Sequence, residues 1–222
     1  MGKIKIKKND VWIDMTPMSD VMVLLLTFFM LSANFVKNEV VKVVTPSSET
    51  MAKVPASATL DITIDPEGRV LLATDKTVTL EKALNTMLQE RGVELSAEQK
   101  KAMLAETQLG IPVKNLAEYL SKTHEEQVKL LRATGIPTDS LESREDKMSE
   151  FQLWVKALKT GYKDWYNAQD DATKAGAANK LELCIKADKS TPYAAVKKVI
   201  SELQDINESR YKLLTQYKKS DE

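Results

Sequence analysis

The sequence of 222 residues contains few of the residue types from which catalytic and metal sites are usually built. It has one cysteine, Cys184, and one histidine, His124. A single cysteine forms no internal disulfide, and these two residues supply too few ligands for a zinc cluster. The seven glycines form no phosphate-binding loop, dinucleotide fingerprint or nucleophile elbow. These absences predict a protein that is not an enzyme and that uses no cofactor or metal.

An excess of charge of one sign is also lacking. The chain has 32 basic and 32 acidic residues, and only 6% of its residues are aromatic. Nucleic-acid-binding surfaces combine basic patches with interleaved aromatic side chains. The composition therefore predicts no nucleic-acid partner, whereas 43% apolar and 29% charged residues are ordinary for a folded domain.

Long apolar runs are scarce too, and the one at residues 15–36 is predicted to be a transmembrane helix. A bilayer core of about 30 Å is spanned by about 20 helical residues. The positive-inside rule places residues 1–14 in the cytoplasm and the rest of the chain outside. The basic residues before the run are Lys3, Lys5, Lys7 and Lys8.

A cleaved signal peptide is the alternative interpretation of this run. Residues 31–33, Leu-Ser-Ala, loosely resemble a cleavage site. The segment before the run is long, and it carries Asp10, Asp14 and Asp20. A carboxylate at the edge of the apolar region favours an uncleaved helix.

Polar residues within the run recur at intervals of seven. Asp20, Thr27 and Asn34 therefore share one face of a helix that supercoils with a partner, and Thr16 lies one turn before Asp20. Lipid penalises such a polar stripe, whereas neighbouring helices or a water-filled path tolerate it. The stripe predicts helical partners in the membrane.

A local role for Asp20 is the alternative. Thr16 would cap the helix, Pro17 would occupy its first position, and Asp20 would complement the helix dipole from the first turn. The residues by themselves leave both interpretations open.

The remaining chain predicts an α+β domain formed by residues 58–92 and 180–219, after a linker at 37–57. Alternation of apolar and polar residues predicts strands, and apolar stripes at helical spacing predict helices. The predicted order is ββα-insert-βαβ. Its parts are strands at 60–64, 70–73, 181–186 and 211–217, a helix from Thr79 to Gly92, and a helix that starts at Thr191-Pro192.

Residues 93–179 are predicted to form an all-helical insertion. Ser96–Gln99 and Thr123–Glu126 fit the capping box. Gly-Ile-Pro occurs at 110–112 and again at 135–137, where each copy is predicted to end one helix and begin the next. The last insert helix carries an amphipathic stripe that includes Phe151, Trp154, Tyr162 and Trp165. We expect this stripe to pack against the other insert helices; the alternative is a docking face for an accessory partner or peptidoglycan.

Three blocks of the sequence, taken in order, resemble the ExbD/TolR family. They are residues 16–30, which contain Thr16-Pro17 and Asp20; residues 58–72; and residues 185–200. The last block contains the motif residues Asp188, Thr191, Pro192 and Tyr193. The insert at 93–179 departs from the family pattern.

The resemblance implies a single-pass protein of the Gram-negative inner membrane, with a cytoplasmic N-terminus and a periplasmic domain. It implies a stator subunit that threads an ExbB-like pentamer together with a second copy of itself and drives a TonB-like protein. Asp20 would carry the protons, Thr16, Pro17, Thr27 and Asn34 would face partner helices, and the motif at 188–193 would have a structural or dimer role. The alternatives are a TolR-like subunit that binds peptidoglycan and a plain single-pass anchor for a binding domain.

Overall fold

The computed structural model describes residues 15–32, 39–48, 58–139, 148–170, 174 and 178–217. The chain divides into two compact units, Met1–Lys37 and Asn38–Glu222. The predicted cytoplasmic segment 1–14 and part of the predicted linker lie outside the described residues. The predicted domain boundaries therefore stay predictions.

The first unit contains helix α1, Thr16–Ser32, which has 17 residues and buries none of them. The predicted span 15–36 begins one residue before α1, and its last residues lie outside the described part. Among the residues that the structure describes, no helix combines the length and the apolar content needed to cross a membrane.

The second unit is an α+β structure. Its strands are β1 (Ser47–Ser48), β2 (Thr59–Ile64), β3 (Val70–Thr74), β4 (Glu182–Ala187), β5 (Tyr211–Leu213) and β6 (Gln216–Tyr217). Its helices are α2 (Thr77–Arg91), α3 (Ala97–Ala105), a 3-10 turn (Val113–Asn115), α4 (Leu116–Ser121), α5 (His124–Ala133), α6 (Glu150–Asn167) and α7 (Tyr193–Asp205).

Four strands form a mixed sheet in the order β3-β2-β4-β5. Strand β2 is antiparallel to β3 and parallel to β4, and β4 is parallel to β5. Leu60, Ile62 and Ile64 of β2 are fully buried, as their alternation predicts. The predicted strands 60–64, 70–73 and 181–186 are confirmed within one residue at either end.

The last predicted strand, 211–217, is wrong as a single element. Strand β5 ends at Leu213, and the amide of Leu214 donates to the carbonyl of Ile185. Strand β6 pairs instead with β1 in a separate parallel ribbon. Alternating side chains indicate extended chain, but they do not show that the chain leaves one sheet for another.

The first helix of this unit begins earlier than predicted. Its cap position is Lys76, and Thr79 is a buried residue inside the helix rather than the cap. The predicted end is confirmed, because Gly92 caps α2 in the left-handed conformation at φ 63°. An apolar stripe locates a helix more reliably than it locates the first turn.

The insert helices share one core with the α+β elements. The aromatic stripe of α6 is buried at Phe151, Trp154 and Tyr162 and partly buried at Trp165. It packs against α2 rather than against the other insert helices, so the expected partner is wrong. A Cβ atom at Gly161 of α6 would lie 3.1 Å from the carbonyl oxygen of Thr79, which shows how closely the two helices approach. Both predicted capping boxes are confirmed, at Ser96 and at Thr123.

The two Gly-Ile-Pro loops lie along the outer edge of β3. Leu109 forms an antiparallel bridge with Leu72, and the amide of Ile136 donates to the carbonyl of Val70 at 2.9 Å. A Cβ atom at Gly110 would lie 2.9 Å from the Leu71 side chain, and one at Gly135 would lie 2.7 Å from Arg69. These glycines permit close approach to β3. The sequence predicted only that each Gly-Ile-Pro ends one helix and begins the next, and it did not predict this contact.

Candidate functional site

The predicted polar stripe lies on α1 where the structure describes it. Asp20 and Thr27 are exposed and seven residues apart, so they lie on nearly the same side of the helix. The Thr27 hydroxyl donates within its own helix, to the carbonyl oxygens of Val23 and Leu24, both at 2.9 Å. Asn34 lies outside the described residues.

The start of α1 lies one residue before the start that the local interpretation of Asp20 assumes. The helix begins at Thr16, and the amide of Ser19 donates to the carbonyl of Met15 at 3.0 Å. Pro17 is therefore the second helical residue rather than the first, and its missing N–H leaves no helical hydrogen bond unmade. Asp20 is the fifth residue, and the first turn contains no acidic side chain.

The apolar side chains of α1 are more than half exposed. They range from Leu25 at 51% to Leu31 at 88%. A contiguous apolar surface of this kind indicates contact with lipid or with other protein. The carboxylate of Asp20 is the one ionisable group on this helix.

The second candidate group, the motif at 188–193, forms the turn between β4 and α7. The side chain of Asp188 accepts from the amide and hydroxyl of Ser190 at 2.9 and 2.6 Å. Its other oxygen accepts from the amide of Val44 at 2.8 Å, and the amide of Lys189 donates to the Val44 carbonyl at 2.7 Å. These bonds from Ser190 and Val44 lower the pKa of Asp188.

The other motif residues have separate positions. The Thr191 hydroxyl donates to the carbonyl of Asp65 at 2.9 Å, which joins this turn to the end of β2. Pro192 precedes the first residue of α7, where it needs no amide partner. Tyr193 is 77% exposed, so its ring is free of the core. The motif thus fixes a turn with three of its residues and presents the fourth to solvent.

Residues 39–48, which we call the tether, run along the second unit and are fixed at several points. Lys186 pairs with Glu39 at 3.1 Å and with Asp61 at 2.7 Å. The buried side chain of Gln108 bonds both backbone groups of Val41. No pattern in the sequence identified Gln108 or Lys186, because each acts on a segment that is distant along the chain.

A cleft of about 920 Å³ lies beside the tether. Its walls come from the tether, the β2–β3 turn and the insert. The lining includes Glu39, Lys42, Asp65, Glu67, Arg69, Glu106, His124 and Arg132. Arg69 pairs with Asp65 at 2.5 Å and with Glu67 at 2.6 Å. Burial raises the pKa of Glu106, although the charge of His124 and a bond to Tyr119 oppose the rise.

The single cysteine and the single histidine of the sequence lie in surroundings that do not indicate a reactive site. Cys184 is fully buried in β4, and burial raises the pKa of its thiol to about 11. That environment suits a packing residue rather than a nucleophile. His124 is exposed at the first position of α5. Across the described part of the chain, no three histidine, cysteine or acidic side chains converge as metal ligands.

Comparison with protein families gives one result. A family model described as "Biopolymer transport protein ExbD/TolR" matches residues 7–218. That range includes every helix and strand given above, and it also includes the insert. Searches of curated proteins and of solved structures gave no match.

Proposed function

Because this chain belongs to the ExbD/TolR family, we propose that it is a proton-carrying stator subunit of an inner-membrane motor that energises TonB-dependent import. Members of the family are single-pass inner-membrane proteins with a periplasmic domain. They couple energy to transport and are not enzymes. The family includes subunits for TonB and for Tol-Pal systems, and the TonB assignment is our proposal.

The observation that carries the proposal is the position of Asp20. It is the one ionisable side chain of α1, and it lies among apolar side chains that are more than half exposed. A carboxylate held in a membrane faces other helices or a water path, because lipid penalises the charge. Such a group is a candidate proton carrier.

Protonation of Asp20 would change which surroundings suit the helix. The charged form seeks hydrogen-bond donors, whereas the neutral form tolerates an apolar wall. The Thr27 hydroxyl donates to carbonyls of its own helix, so donors for Asp20 would come from neighbouring helices. A charge that crosses the membrane supplies about 2.3 kcal/mol per 100 mV, which is enough to bias a step between packed states.

The proposed partners follow from this arrangement and from the family. An ExbB-like pentamer and a second copy of the chain would surround α1 in the membrane. Residues 1–14 would be cytoplasmic, and the second unit would be periplasmic and would pass work to a TonB-like protein.

The first test is energised uptake of a TonB-dependent substrate in cells that lack the native gene. We expect Asp20→Asn to abolish uptake while the protein still co-purifies with its ExbB-like partner. Ser19→Ala, which changes the adjacent polar residue, should retain uptake. Asp20→Glu, which keeps a carboxylate, should retain part of the wild-type uptake. Full uptake by Asp20→Asn would contradict the proposal.

Two further measurements separate the alternatives. Retention of the purified chain on peptidoglycan sacculi would assign it to a TolR-like role if deletion of its gene also left TonB-dependent uptake unchanged. Full activity after replacement of residues 15–36 by an unrelated apolar helix would reduce α1 to an anchor.

A further inference from the structure

The tether has several anchors, and they come from different parts of the second unit. Glu39 pairs with Lys186, Val44 is held by Asp188 and Lys189, and β1 pairs with β6. These partners belong to β4, to the turn after it and to the C-terminal strand. Among the described residues, Gln108 is the insert side chain that hydrogen-bonds the tether.

The side-chain amide of Gln108 hydrogen-bonds both the N–H and the C=O of Val41, as a backbone residue of a neighbouring strand would. The Gln108 side-chain oxygen accepts from the Val41 amide at 2.8 Å, and the side-chain nitrogen donates to the Val41 carbonyl at 3.0 Å. Gln108 is only 2% exposed. A buried amide that loses both bonds is strongly unfavourable, so this contact is harder to open than one at the surface.

The neighbouring residue fixes Gln108 in place. The amide and carbonyl of Leu109 pair with the carbonyl and amide of Leu72 at 2.6 and 2.8 Å. Gly110 then passes close to Leu71. The insert is thereby attached to the edge of β3, and this attachment holds the Gln108 side chain at the tether.

The remaining polar contact at the start of the tether is weaker. Lys186 and Glu39 are partly exposed, with side chains at 22% and 33%. Lys186 also shares its charge with Asp61. Partly exposed ion pairs contribute little to stability. Docking of residues 39–43 therefore depends on the two hydrogen bonds of Gln108, together with the packing of Val40 and Val41 against the core.

We infer that the insert acts as a clamp on the tether, and that Gln108 is the residue through which it acts. With the clamp closed, the eight residues 33–40 separate α1 from its first backbone anchor, Val41. With the clamp open, the next backbone anchor is Val44, after the eleven residues 33–43. The insert would thus set how many residues lie between the end of α1 and the first backbone anchor of the tether. This inference does not require Asp20 to carry protons.

The test is amide hydrogen exchange of the full chain in detergent micelles. Gln108→Met keeps the size of the side chain and removes both bonds to Val41. We expect exchange of the Val41 amide to rise at least tenfold, while Ile62 in β2 remains as protected as in the wild type. The matched control is Gln127→Met, because the Gln127 side chain also bonds a backbone carbonyl, that of Tyr119 at 3.2 Å, but its partner belongs to the insert and not to the tether.

A second variant keeps the inference testable if Gln108→Met does not fold. Gln108→Asn keeps the amide but shortens the side chain by one methylene, so it no longer reaches both backbone groups of Val41, and exchange at Val41 should rise. Unchanged protection of Val41 in either variant would overturn the inference. An equal rise in Gln127→Met, or loss of protection at Ile62, would assign Gln108 a general structural role instead. None of these readouts involves transport, so the proposed function can fail independently.

Discussion

Asp188 brings together donors from two segments that are 144 residues apart. Two of its three donors belong to Ser190 in the same turn, and the third is the Val44 amide. The turn residues at 188–192 could be predicted from the sequence, because aspartate, serine and threonine cap turns locally. Val44 could not, because nothing in a local pattern specifies a partner at that distance. The same reason explains why Gln108 and Lys186 were missed.

Glu106 provides a prediction about pH at the scale of a single residue. Burial raises the pKa of its carboxyl above the ordinary value of 4.5, so the fold favours the neutral form. The stability contributed by this group is complete below the unfolded pKa and is lost as the pH rises through the raised folded value. Glutamine at position 106 has no carboxyl group to ionise, so Glu106→Gln removes this pH-dependent loss of stability. We therefore expect the variant to gain stability relative to the wild type between pH 4 and pH 7.5.

Urea unfolding at the two pH values measures this effect. The control is Glu98→Gln, which changes an exposed glutamate on α3. Its stability relative to the wild type should depend less on pH. A Glu106→Gln variant whose relative stability falls as the pH rises would contradict the assigned sign.

At the scale of elements, helical and strand periodicity predicted most of the second unit, including β2, β3, α2, β4 and α7. Periodicity describes which face of an element is apolar, and it does not name what covers that face. The stripe of α6 was recognised, but its packing against α2 was not. Gly161 was the available signal, because a glycine inside a long helix suggests close approach of another backbone.

Gly161→Ala tests the packing of α6 against α2. Alanine favours a helix interior over glycine by about 1 kcal/mol. The added Cβ, however, would meet the Thr79 carbonyl oxygen at 3.1 Å and the Lys82 side chain at 3.2 Å. Overpacking of this kind costs about 1–3 kcal/mol. We expect a net loss of about 1 kcal/mol in the free energy of unfolding, measured with urea.

Thr160→Ala is the control on the exposed side of the same helix. It should change the free energy of unfolding by less than about 0.5 kcal/mol. If Gly161→Ala stabilised the protein, the two helices would have room that the structure does not show.

At the scale of the whole molecule, the insert helices and the α+β elements form a single core. Trp154 and Tyr162 of α6 belong to the same buried cluster as Leu84 and Met87 of α2. An insertion that folded by itself would bury its aromatic stripe among its own helices. The insert instead completes the cover of α2.

This shared core predicts that the second unit unfolds in one cooperative step. In a Trp12→Phe background, fluorescence of the remaining tryptophans, Trp154 and Trp165, reports on α6. This fluorescence and far-UV circular dichroism should give coincident urea transitions. Trp154→Ala should lower the free energy of unfolding by about 3–5 kcal/mol and shift both signals together. Deletion of residues 93–179 should give no folded protein.

Phe28→Ala in the separate first unit is the control and should leave both transitions in place. Two separated transitions in the wild type, or a stable folded product after the deletion, would show that the insert is an independent body.

The coverage of β3 by the two Gly-Ile-Pro loops has a consequence for assembly. A sheet grows by adding strands at its edges, and one edge of this sheet already carries Leu109 and Ile136. In the described part of the chain, no strand pairs with the outer side of β5. Two copies that met there would each use the single available edge of the four-stranded sheet and would leave none of that sheet for a third. Strand addition in this protein would therefore stop at a pair and could not propagate into a fibre.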